Sequence, residues 1–237
     1  MMIIPPPLEP LGERILMLNE LFEPDGKRLT SMLIGSPGTG KSFWTKHQLL
    51  AFSKRWKDEH GRIVYCCPKG EMDLGEKTWT PMHKLEKHIG KNRISVVHPD
   101  PMNIESEVDW LINFLFDVRD ANPDFKCVFV CDDSQIFLSS RRSATPSWKR
   151  LALTGRSRGI RLVAISHAPV FSKELEGSTS YIIHFRTLLS PLHVRDFQNR
   201  YGYDPEPHIE PLNEVPYSHV YFDVTTGKSR LMKPLEV

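Results

Sequence analysis

The stretch "IGSPGTGKSFW", residues 34–44, sets Gly35, four further residues, and then Gly40-Lys41-Ser42. An apolar run, "SMLIG", precedes it, and "FWTKHQLLAFSKRW", with the spacing of an amphipathic helix, follows. A strand, a glycine-rich turn and a helix are the context in which this spacing forms a phosphate cradle. Glycines let successive backbone N–H groups turn inward toward phosphate oxygens, and the helix N-terminus adds partial positive charge. The expected nucleotide shell is Gly35, Ser36, Pro37, Gly38, Thr39, Gly40, Lys41, Ser42 and Phe43, contributed mainly by backbone. Ser36 and Pro37 are not expected to touch ligand by side chain, and Pro37 stiffens the turn. Lys41 is expected to reach the β- and γ-phosphates of ATP, and Ser42 to hold Mg²⁺.

A second stretch, "VFVCDDSQ" (128–135), supplies a partner for the loop. A strand ending in two carboxylates can place the first, Asp132, on Mg²⁺ and the second, Asp133, on an attacking water as general base. Many ATPases carry Glu at the second place; Asp is one methylene shorter, so the water must sit closer or be held through another group. No Asn-Lys-x-Asp signature for guanine is present.

The rest of the chain alternates short β-like apolar runs with longer helical stretches, which argues for α/β architecture with a mainly parallel central sheet flanked by helices. Strands are expected at "RLTSMLIG", 62–68, 93–99, 126–133, 160–167 and 180–188. Helices are expected at 11–22, 41–56, 103–122, 147–159 and 191–202, with a short one near the end of the polar segment around residues 70–90. "KCVFVCDD" is apolar on both faces, as a central strand of a parallel sheet must be. The end, 218–233, reads as an added antiparallel hairpin turning at Thr226-Gly227. No repeat or linker interrupts residues 1–237, so one domain is expected, with an extended arm at about 1–10, "MMIIPPPLEP".

No apolar run reaches the ~18 residues of a membrane helix, and the start lacks the positive n-region of a signal peptide. A protein kept in the cytosol is expected. The four cysteines fit: none forms a Cys-x-x-Cys pair, and buried reduced thiols are the expectation.

Net charge is only +2, but its distribution is uneven. From Ser134 to Lys173 there is no Asp or Glu, while Arg141, Arg142, Lys149, Arg150, Arg156, Arg158, Arg161 and Lys173 fall there. Such a block suggests a surface that meets phosphates, of nucleotide, of DNA, or of both.

Within that block, "LTGRSRGIRLVAISHAP" (153–169) resembles the corresponding part of the FtsK–HerA superfamily of DNA-pumping motors. There a helix ends in Arg and Gly, and a buried strand follows that usually ends Gln-Arg-Pro. Here the helix ends Gly155-Arg156-Ser157-Arg158-Gly159, and the strand from Ile160 ends Ser166-His167-Ala168-Pro169. Within the superfamily the chain looks most like the genome-packaging ATPases of membrane-containing double-stranded DNA viruses, which carry little beyond the motor core. The resemblance implies a RecA-like P-loop NTPase. It also implies a homo-oligomeric ring, expected as a hexamer, that pumps double-stranded DNA into a capsid at a packaging vertex, in the virion and host cytoplasm. It further implies an arginine that reaches the neighbour's γ-phosphate: Arg156 at the matching position, Arg158 as the alternative. His167 stands where the family has a γ-phosphate-sensing Gln. Either it does that job, or sensing has moved to a group such as Gln135. Arg141, Arg142, Lys149 and Arg150 are the candidate contacts to DNA phosphates, independent of base sequence.

Three rivals stand beside this reading. Ring ATPases of the AAA+ kind would normally show Asn where His167 stands, and a helical lid. Phage-assembly ATPases of the zonula occludens toxin type resemble the chain around "DDSQ" but typically carry a membrane helix. A P-loop kinase or nucleotide switch would use the basic block to hold a phosphorylated substrate.

Overall fold

The computed structural model describes residues 21–24, 30–75, 81–138, 144–167 and 173–235. The expected arm at 1–10, most of the 11–22 helix, Arg141, Arg142 and Ala168-Pro169 lie outside the described residues; Leu21 and Phe22 are helical and buried.

Strands β1 (Thr30–Ile34), β2 (Gly61–Cys66), β3 (Ile94–Val97), β4 (Lys126–Cys131), β5 (Ile160–Ser166), β6 (Thr179–Phe185), β7 (His219–Asp223) and β8 (Lys228–Met232) form one sheet in the order β3-β2-β4-β5-β1-β6-β7-β8. Every pairing from β3 across to β6 is parallel. The last two strands add antiparallel and form a hairpin with Gly227 at φ 69° in its turn. The helices are α1 (Lys41–Arg55), α2 (Leu85–Ile89), α3 (Ile104–Ala121), α4 (Pro146–Thr154), α5 (Lys173–Glu176), α6 (Pro191–Tyr201) and α7 (Glu206–Glu214).

Two apolar layers hold the sheet, and the two-residue period of a strand assigns side chains to each. On β4, Cys127, Phe129 and Cys131 face the layer that takes Leu111, Ile112, Leu115 and Phe116 of α3 and Trp148 of α4. Val128 and Val130 face the opposite layer, with Trp44, Leu49 and Phe52 of α1. All four cysteines are buried and unpaired, and burial raises the Cys127 and Cys131 thiols above their ordinary range. No helix among the described residues is long and apolar enough to cross a membrane.

Two elements differ from expectation. The 147–159 helix stops at Thr154; Arg156–Arg158 form a single 3₁₀ turn, closed by Gly159 at φ 65°. Helix α7 has no counterpart in the sequence reading. Pro207 lies in its first turn and Pro211 inside it, and proline inside a helix removes a donor and normally breaks the run. The buried side chain of Leu212 docks this helix on the core regardless.

Candidate functional site

Strand order places the chemistry. β5 lies between β1 and β4, so the C-terminal ends of the loop-bearing strand, the His167 strand and the acid-bearing strand stand side by side. Ile34 is in register with Ser166 and Cys131 with Ala164, and Gly35 N donates to Ser166 O at 3.3 Å. This is the end of a parallel sheet at which ligand crevices form.

The loop after β1 needs its glycines for two distinct reasons. At Gly35 a Cβ would fall 2.6 Å from Phe185 Cβ and 2.8 Å from Thr39 Oγ1. Gly40 is left-handed at φ 90°, and a Cβ there would strike the Tyr217 ring at 2.8 Å. Pro37 and Gly38 form the exposed tip. Thr39 Oγ1 ties the loop internally by donating to Ser36 O at 2.8 Å. Ser36 is anchored to the exit of β6: its N–H donates to Arg186 O at 2.9 Å, and its hydroxyl meets Thr187 Oγ1 and the Leu188 N–H, each at 3.4 Å. Phe43 projects from the first turn of α1, 51% exposed, with its ring on His47.

Lys41, buried to 4% exposure, donates to Gly35 O at 2.5 Å and Ser36 O at 3.0 Å. Burial pulls its pKa down to about 8, against the opposing pull of Asp132 and Asp133. Its ammonium also lies 3.2 Å from His167 Nδ1. His167 Nε2 in turn lies 2.8 Å from Asp133 Oδ1. A neutral imidazole whose Nδ1 accepts from Lys41 and whose Nε2–H donates to Asp133 suits these two contacts, and its Nε2 then cannot accept from Lys69 Nζ, 3.1 Å away, which is held by Asp133 instead. Burial and the Lys41 charge lower the His167 pKa, which favours that neutral form.

The two carboxylates have different surroundings. Asp132 accepts from Tyr65 OH at 2.9 Å and from the Asp133 N–H at 2.9 Å. Its pKa is raised by burial, with the Tyr65 hydrogen bond opposing. Asp133 takes a left-handed backbone, φ 49°, unusual for a non-glycine residue. It gathers Lys69 Nζ at 3.0 Å, His167, and Gln135 Nε2 at 2.9 Å. Its hydrogen bond raises the Lys69 pKa.

A cavity of about 160 Å³ is bordered by Ser42, Lys69, Asp132, Asp133 and His167. Ser42 and Asp132 offer it two hard oxygen donors, which suits Mg²⁺; that ion keeps waters and phosphate oxygens as its remaining ligands. No group of three or more His, Cys, Asp or Glu side chains that could cage a metal occurs among the described residues.

The other candidates lie elsewhere. Arg156 is exposed in the 3₁₀ turn before β5, at the opposite end of that strand from His167. Arg158 is bound to Asp120 at 2.5 Å. Arg150 reaches the same carboxylate at 3.4 Å and lies over the Phe116 ring at 4.0 Å. Lys149, beside it on α4, is half-buried. Arg161 leaves the basic block altogether: it is 1% exposed in β5 and donates to Ser31 Oγ at 3.1 Å. Sequence reasoning missed Tyr65, Lys69 and Tyr217. For Lys69 a signal was present, since "CCPKG" closes a buried parallel strand, the end at which functional groups collect.

No protein-family profile and no curated protein matches the chain. Solved structures do. The genome packaging NTPase B204 from Sulfolobus turreted icosahedral virus 2, in complex with ATP-gammaS, aligns with TM-score 0.68 at 15% identity, covering 88% of this chain and 98% of that one. The type VII secretion ATPase EccC of Thermomonospora curvata aligns over 88% of this chain and 25% of its own, with TM-score 0.62 at 17% identity. VirB4 of Thermoanaerobacter pseudethanolicus gives 0.59 at 8% identity, over 88% and 89%. What these likenesses establish is architecture: the chain has the P-loop NTPase fold, with a mainly parallel sheet and antiparallel strands added at its C-terminal end.

Proposed function

We propose that the chain is an ATP-hydrolysing double-stranded DNA translocase that packages a viral genome into a preformed capsid, working as a homo-oligomeric ring. One observation carries the reading. The phosphate loop with Lys41 and Ser42, the acid pair Asp132-Asp133, and His167 meet at adjoining strand ends, with Asp133 held by three side chains. The similarity to a viral packaging NTPase supports the choice of cargo.

In this reading Lys41 neutralises phosphate charge, and Ser42 and Asp132 hold Mg²⁺. When bound, the metal would offset charge on the β- and γ-phosphates. Asp133 orients and deprotonates the attacking water. His167 passes the state of the phosphate end on to Asp133, since it touches both Lys41 and Asp133. A trans arginine, Arg156, completes the site of the neighbouring subunit.

The test is ATP hydrolysis by the full chain, with and without long double-stranded DNA, at low and moderate salt. Strong stimulation that fades with salt is expected, because phosphate contacts release counterions. Absence of stimulation in a folded, ATP-binding protein would overturn the stand-alone translocase and turn the search to phosphate acceptors. Lys41→Ala and Asp133→Ala should each lower turnover by at least about 10²-fold without unfolding the chain; unchanged turnover in either would remove that residue from the site.

A further inference from the structure

Beside the phosphate loop, on the flank of Gly40 and Phe43, lies a second cavity of about 500 Å³, lined by Gly40, Phe43, Trp44, Tyr217, Pro234 and Leu235. The cavity at Ser42 and Asp133 brings together Lys69, Asp132, Asp133 and His167; this one is walled mainly by rings and aliphatic carbons. The two share no lining residue, yet both border the first residues of α1, Ser42 on one and Phe43 on the other. A ligand whose phosphates occupy the loop therefore has this space open to its other end.

Two aromatic faces are held ready there. Tyr217 sits in the turn between α7 and β7 with φ 63°, a backbone state that bulky residues rarely adopt. Such outliers gather at ligand clamps. Its ring presses so closely on the loop that Gly40 has no room for a Cβ, and the residue is still 60% exposed. Phe43, half-exposed, is steadied by the His47 ring at 4.3 Å between centroids. Both rings thus keep about half of their surface open beside the phosphate loop while one side of each is braced.

We propose that this cavity holds the nucleobase of the bound nucleoside triphosphate, by stacking and apolar contact rather than by reading the base edge. The inference rests on the nucleotide-binding reading of the loop and deepens it. Hydrogen-bonding groups on the lining side chains are few: the Trp44 indole nitrogen is sealed from solvent, which leaves the Tyr217 hydroxyl. A hydroxyl both donates and accepts, so it suits adenine, guanine and cytosine alike. Sites built to hydrogen-bond one edge reject its analogue by 10⁴-fold or more; here selectivity among the common triphosphates should stay within about ten-fold, because every base offers a π-face.

The experiment displaces a fluorescent ATP analogue from the full chain, in Mg²⁺, with ATP, GTP, CTP and inorganic tripolyphosphate. ATP, GTP and CTP should compete within about ten-fold of one another. Tyr217→Ala should weaken all three by about ten-fold or more and leave tripolyphosphate unchanged, while Tyr217→Phe should bind like the parent. A preference for ATP above about 100-fold would overturn base-indifferent stacking. So would ATP affinity unaltered in Tyr217→Ala, or tripolyphosphate weakened as much as ATP, which would mean a distorted loop. Tripolyphosphate binding that still depends on Lys41 would then preserve the phosphate site while this inference falls. Loss of all nucleotide and tripolyphosphate binding in the parent chain would remove both.

Discussion

Asp133 shows how much of the candidate chemistry is fixed by single side chains. Its left-handed backbone, which costs on the order of 1–2 kcal/mol for a non-glycine residue, is held by Lys69, Gln135 and His167 together. Lys69, half-exposed and anchored at the end of β2, is the one full cation on that carboxylate among the described residues. It positions the base rather than touching the nucleotide in this reading. Lys69→Met is therefore expected to lower kcat for ATP by about ten-fold or more, through lost preorganisation, while KM shifts less than about three-fold; Lys69→Arg should recover part of the loss. Steady-state kinetics decide it, and an unaltered kcat would show that Gln135 and His167 suffice. The residues that could be read from sequence were those with a fixed local spacing: Gly35 to Ser42, and the adjacent Asp132-Asp133. Tyr65, Lys69 and Tyr217 carry no local pattern. They matter because a parallel sheet brings strand ends together that are far apart along the chain, and one sequence does not display that register.

Strand β5 and its flanking helices show the same division between pattern and placement. Its burial was legible from six apolar or small residues interrupted by one arginine, and Arg161 was the misleading letter, counted with a basic surface although it lies in the core. Helix α7 was illegible because its prolines argue against a helix that tertiary packing nevertheless enforces. The acid-free stretch also concealed a partner on another element. Asp120, near the end of α3, holds both Arg150 and Arg158, so the basic block carries less free positive charge than its composition implies. Asp120→Asn should release both guanidiniums. Exposed pairs of this kind contribute about 0–1 kcal/mol, so thermal stability should barely move. If this face meets DNA phosphates, affinity for double-stranded DNA should rise and the salt dependence steepen by up to about two counterions. Filter binding over a salt series measures both, and an unchanged slope would place the DNA track elsewhere.

Across the whole molecule, two consequences reach beyond any one element. His184, buried in β6 with Nδ1 on Tyr203 OH at 2.8 Å, is kept neutral by burial, its pKa down to about 3 from an ordinary 6.5. Below pH 6.5 the unfolded chain takes up a proton that the folded chain refuses. Stability is thus fully present above pH 6.5 and falls by about 1.4 kcal/mol per pH unit toward pH 3. His167 and His208, also lowered by burial, act in the same direction; Asp132, raised by burial, opposes them. His184→Gln should remove about one proton from the slope of urea stability between pH 6 and pH 5, and an unchanged slope would refute this account. The second consequence concerns assembly. Arg156 and His167 bracket β5, whose seven residues span roughly 20 Å at a strand's rise. Arg156 therefore cannot reach the phosphate loop of its own chain, and any catalytic role it has is played on a neighbour. It makes no ion pair among the described residues, whereas Arg158 is committed to Asp120, which favours Arg156 as the trans group. Arginines of this type contribute about 10³–10⁵ in turnover, so Arg156→Ala and Lys41→Ala should each be nearly inactive alone. Mixed in one ring, an interface that pairs an intact Arg156 from one subunit with an intact Lys41 from the next should recover hydrolysis in proportion to its frequency. Recovery that follows the mixing ratio would establish a shared site; none, in rings shown to contain both variants, would return Arg156 to the surface.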